Sequence, residues 1–78
     1  MPLGRELTEA MLSVVRARMA EQRLTGRQLA ERMGVPTNTV AKHLRDEGVV
    51  PLEEWEAMAL ALGCNRIEDL LEDARRRL

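Results

Sequence analysis

A chain of 78 residues has room for a single domain over 1–78, because so small a unit buries only about 60% of the surface its unfolded form exposes. Trp55 is its one aromatic residue, Cys64 its one cysteine and His43 its one histidine, which excludes an internal disulfide, leaves no Cys/His cluster of metal-ligand spacing and offers no nucleophile–base pair to propose. The formal charge of −1 hides an asymmetry: eight Lys and Arg oppose six Asp and Glu through Gly48, and four oppose seven from Val49 onward, so the N-terminal part is mildly basic and could orient on a polyanion.

β-Branched residues are sparse and never alternate with polar ones over a strand's length, so an all-α protein is expected. The first helix is expected over about 7–23, where Leu7, Met11, Val15 and Met19 recur every four residues and leave Arg16, Arg18 and Arg23 off the apolar stripe. The second occupies about 25–33. Thr25-Gly26-Arg27-Gln28 has the form of a capping box, Leu29, Ala30 and Met33 face inward, and Gly34 ends the helix.

The third helix is expected over about 37–45, opened by Pro36. Val40 and Leu44 are spaced to face the core, which turns Thr37, Asn38, Ala41 and Lys42 largely outward. Asp46 to Val50 read as a loop with Gly48 as its turn. A fourth helix over about 52–62 follows Pro51, carries Glu53 and Glu54 in its first turn, and draws its apolar surface from Leu52, Trp55, Ala59, Leu60 and Leu62 before Gly63 stops it. Asn65 is a candidate cap for a fifth helix over about 66–76, with Ile67, Leu70, Leu71, Ala74 and Leu78 as its stripe. Cys64 and Trp55 read as core, the methionines as gap fillers, and His43 as a packing or surface residue.

The opening residues do not place an apolar run after a charged region, so no secretory leader is expected. The longest apolar stretch, Ala57 to Cys64, is too short for a membrane span. A cytoplasmic protein without cofactor, small-molecule ligand or enzymatic activity is the expectation.

The stretch from Gln28 to Leu44 carries the functional signal. Two short helices flank a tight turn at Gly34-Val35, Ala30 is small where the helices cross, and Val35 and Val40 plug the angle between them. Such an arrangement presents the start of the second helix to a DNA groove. On these residues, and on Leu24-Thr25, Leu29-Ala30 and Thr39-Val40, the chain resembles the Cro/C1-type helix-turn-helix family, also called the XRE family. Ala59-Leu60-Ala61-Leu62-Gly63 and Ile67-Glu68-Asp69-Leu70-Leu71 extend the likeness, which covers roughly Leu7 to Leu71.

The resemblance implies a five-helix, lambda-repressor-like domain that binds double-stranded DNA and regulates transcription in the manner of a small phage Cro or repressor protein. Carried over, the family's base-reading positions fall on Thr37, Asn38 and Lys42, supported by Thr39. Asn suits adenine N6 and N7, Lys suits guanine O6 and N7, and a Thr methyl suits the thymine methyl. Phosphate contacts are expected from Arg23, Arg27, Gln28 and Arg45 and from helix N-termini. The family's dimer interface falls on Ile67, Leu70, Leu71 and Ala74, so a homodimer is expected.

Three departures stand out. Gly26 replaces a frequent Gln, Asp46 and Glu47 replace a usually basic loop, and His43 replaces an aliphatic residue. The acidic second half motivates an alternative: an antitoxin-like or anti-regulator module that uses the same fold to hold a protein partner.

Overall fold

The computed structural model describes residues 3–45 and 49–78. It is all-α: α1 (Leu3–Gln22), α2 (Gly26–Met33), α3 (Thr37–Leu44), α4 (Leu52–Ala61) and α5 (Ile67–Arg76), with no strand among the described residues. α1 begins four residues before the first apolar residue of its stripe, Leu7. The acidic turn expected at Asp46, Glu47 and Gly48 lies outside the described residues.

Local chemistry sets the helix ends. At the start of α2, Gln28 N–H donates to Thr25 Oγ1 at 3.1 Å and Thr25 N–H donates to Gln28 Oε1 at 2.9 Å, a complete capping box. Three helices end in the same motif, in which two successive N–H groups fold back onto the last turn. Leu24 donates to the Met19 carbonyl at 2.8 Å, Val35 to Ala30 at 3.1 Å and Cys64 to Ala59 at 3.0 Å. The motif needs one residue in the left-handed region. Gly34 (φ 74°) and Gly63 (φ 92°) supply it without a Cβ penalty, whereas Arg23 (φ 54°) supplies it at the end of α1.

The start of α5 differs from the sequence expectation. Arg66 is the cap residue and provides no side-chain bond. Asp69 reaches back instead and accepts from Asn65 N–H at 3.3 Å. Asn65 lies one residue too early to cap a helix that begins at Ile67.

The core is aliphatic. Leu12, Val14 and Val15 of α1 meet Leu29, Val40, Met58, Leu62 and Leu70, all of them buried. Each such side chain contributes about 1.5–3 kcal/mol on leaving water. Trp55 and Cys64 join the cluster. α4 buries Trp55, Met58 and Ala59, and its C-cap residue Leu62 is buried after them, spaced three, four and seven residues on. Leu60 falls about 140° round the helix from Trp55, at about 100° per residue, and is exposed. Leu52, in the first turn, and Leu78 are exposed too, so these three do not serve the core as expected.

Polar ties lock the layers. Arg18 of α1 pairs with Asp73 of α5, and Asp73 also accepts from Arg76 at 2.8 Å. Burial alone would lower the pKa of the Arg18 guanidinium. The hydrogen bond to Asp73 and the negative charge of Asp73 and Glu21 outweigh it and hold the group above its ordinary value. Gln22 donates to the Leu62 carbonyl at 2.7 Å, and Arg32 to the Ala61 carbonyl at 3.0 Å. These bonds satisfy the end of α4, where helical carbonyls lack partners of their own.

Candidate nucleic-acid interface

α2 and α3 pack against each other across the Gly34-Val35 turn. Ala30 and Val40 are buried at the crossing, with Val35 packed against the same cluster. A larger residue than Ala30 would push the helices apart at this point. The turn therefore fixes where α3 begins.

The helical period then divides α3 into two faces. Val40 and His43 are buried and Leu44 is half-buried. Asn38, Lys42 and Arg45, spaced by four and three residues, form an exposed polar stripe on the opposite side. Thr37 is exposed beside it and Thr39 is half-buried. Neither Thr37 nor Asn38 caps the helix. Pro36 is the cap residue and supplies no side-chain bond, so no α3 side chain covers the first N–H groups. That end carries the positive pole of the helix dipole.

The other expected contact residues are exposed as well. Arg27 and Gln28 are exposed in the first turn of α2, Arg23 is exposed at the α1–α2 junction, and Arg45 is exposed at the far end of α3. Gln28 spends its carbonyl oxygen on the capping box, which leaves its NH₂ group as the donor that side chain can offer. The Gly26 backbone has open space around the position of a Cβ.

Thr37, Asn38 and Lys42 are all exposed on α3, whereas the expected dimer residues divide. Leu70 and Ala74 are fully buried within the protomer, on the helix that packs against α1. Both side chains are committed to this chain's own core. Ile67 and Leu71 are only half-buried and keep some surface.

Two supports of α3 were missed from sequence. His43 is buried against Glu54 of α4 through its Nε2. The Arg16 guanidinium of α1 donates to the Leu44 carbonyl at the end of α3. A signal existed for the first: a histidine three residues after an inward-facing valine needs a polar partner. Among the described residues, no group of three His, Cys, Asp or Glu is placed to hold a metal, and no helix is long and apolar enough to cross a membrane.

A model of the Cro/C1-type HTH DNA-binding domain matches residues 15–74. That range runs from α1 through α5 and includes all of α2 and α3. No curated protein and no solved structure matches the chain.

Proposed function

Because the chain belongs to the Cro/C1-type helix-turn-helix DNA-binding domain family, we propose that it is a sequence-specific regulator whose third helix enters the major groove. One observation carries the reading: Thr37, Asn38 and Lys42 stand exposed at the start and on the outer face of α3, while Val40 and His43 anchor the opposite face. Asn38 reads adenine by two bonds, Lys42 reads guanine, and Thr37 and Thr39 offer methyl or hydroxyl contacts. Arg23, Arg27, Gln28 and Arg45 hold phosphates, helped by the uncapped start of α3. Operator occupancy that excludes polymerase, as a Cro or repressor protein acts, is the proposed mode, and DNA places the protein with the nucleoid.

A homodimer extends the reading, since two copies can engage half-sites about 34 Å apart. With Leu70 and Ala74 committed to the core, the proposed contact shifts to Ile67, Leu71 and the exposed Leu52. Leu52 and Ile67 line one shallow groove with Glu53 and Glu56. Arg66 adjoins Ile67 in the chain, so a two-fold pairing could set the arginine of each copy against the other's carboxylates.

The second reading, a module that holds a protein partner, draws support from Leu60. This residue is 54% exposed and lines a shallow groove with Met33, Ala57 and Ala61. A stable hetero-complex would favour it.

Selection from a randomised duplex pool at low salt, followed by polarisation titration, tests the leading reading. The expected result is enrichment of a motif with two-fold symmetry. A pool that stays random rejects DNA reading and leaves the partner module.

A further inference from the structure

α3 packs chiefly on α2. Val40 and Leu44 give it an apolar footing on the core, but apolar contact is non-directional. Two polar contacts add direction. Arg16 of α1 holds the Leu44 carbonyl, and Glu54 of α4 holds the His43 ring.

The second contact is unusual in its economy. His43 is 7% exposed, and its Nε2 faces Glu54 Oε1. An ionised carboxylate only accepts, so the nitrogen facing it donates. The other nitrogen, Nδ1, is buried with no hydrogen-bond partner among the described residues. A half-satisfied buried polar group is a poor source of stability, and an aliphatic side chain would fill the position without that penalty. What the pair supplies is an angular constraint, since hydrogen bonds weaken steeply when bent. It acts next to Lys42, which faces outward, and two-point base contacts need the reading helix held within about 10–20°.

We propose that the His43–Glu54 pair, with Arg16 on the Leu44 carbonyl, sets the angle at which α3 stands on the body, making His43 and Glu54 positioning residues for base discrimination by Asn38 and Lys42. The part about discrimination rests on the DNA-reading assignment of α3. The part about the angle concerns the free protein.

Three variants test both parts: Glu54→Ala, Glu54→Gln, and His43→Leu combined with Glu54→Ala. Residual dipolar couplings of the free protein report the orientation of α3 against α1 and α5. Titrations compare the selected duplex with one altered at a single base pair. In Glu54→Ala and the double variant, α3 rotates and the ratio of the two affinities falls about tenfold. Affinity for unrelated DNA stays within about twofold, because phosphate contacts dominate it. Glu54→Gln keeps an acceptor for the ring and restores both readouts. If Glu54→Ala unfolds, the double variant carries the test, because it leaves no orphaned ring and melts no lower than the parent. An unchanged α3 orientation in the double variant overturns the proposal, as does a rotated α3 with an undiminished ratio. A parent chain that discriminates no duplex contradicts the DNA reading instead, and the couplings still decide whether the pair sets the angle.

Discussion

Arg23 occupies, at the end of α1, the left-handed position that Gly34 occupies at the end of α2: φ is 54° for the arginine and 74° for the glycine. Both sit in the same pair of backward hydrogen bonds. An L-residue costs about 1–2 kcal/mol there, and glycine does not. Arg23→Gly is therefore expected to raise stability by up to about 1 kcal/mol, part of the gain being offset by the freer unfolded chain. The same change removes one proposed phosphate contact, so DNA affinity should fall and the slope of log affinity against log salt should flatten by about one. Thermal melts and salt titrations read the two effects separately. A variant that loses stability would show that Arg23 is not strained.

Two glycines should respond in opposite directions. Gly34→Ala introduces a Cβ where φ is +74° with open space around it, so backbone strain alone acts, and a loss of about 1–2 kcal/mol is expected. Gly26 lies in the first turn of α2, also with open space. Gly26→Gln is expected to be neutral or stabilising by about 0.5–1 kcal/mol. It also places an amide beside the proposed phosphate path and should tighten binding to all duplexes alike. Denaturant titration of both variants checks the contrast.

Asn38→Ala and Lys42→Ala each remove an exposed side chain, so stability should stay within about 0.5 kcal/mol of the parent. Discrimination at one base position should drop by about 1–3 kcal/mol wherever two-point bonding to a base edge is abolished. Arg27→Ala should instead weaken binding uniformly across sequences. If all three variants behave alike, the division between base and phosphate contacts is wrong.

The Arg18–Asp73 pair joins α1 to α5. Arg18→Ala should cost about 1.5–3 kcal/mol, the range for a charged hydrogen bond. The pKa of Arg18 is raised in the folded state. Its contribution is thus complete below the unfolded arginine value and is lost only as pH rises through the folded one. The stability gap between parent and Arg18→Ala should consequently not shrink as pH is raised from about 7 to about 10. A gap that closes over that interval would contradict the sign.

What could be read from sequence was local. The Thr25–Gln28 box and the stops at Gly34 and Gly63 act within a few residues, so their chemistry is visible in the order of residues alone. The exposure of Asn38 and Lys42 follows from helical period once Val40 is set inward. What escaped depends on distant partners. His43 and Glu54 lie eleven residues apart, Arg16 and Leu44 twenty-eight, and no period links them. The α5 stripe showed the same gap from the other side: its period marked Leu70 and Ala74 as apolar-facing, but only the packing of α1 on α5 shows that this protomer covers them. Arg23 ends α1 where a glycine would have announced the stop.

Amide chemical-shift mapping with the selected duplex bears most directly on α3 as the reading element. The largest changes should fall on residues 37–42, with a second group at 25–28, and little should move on the outer face of α4. Changes centred on Leu52, Glu56 and Leu60, with the amides of Asn38 and Lys42 undisturbed at saturation, would contradict it.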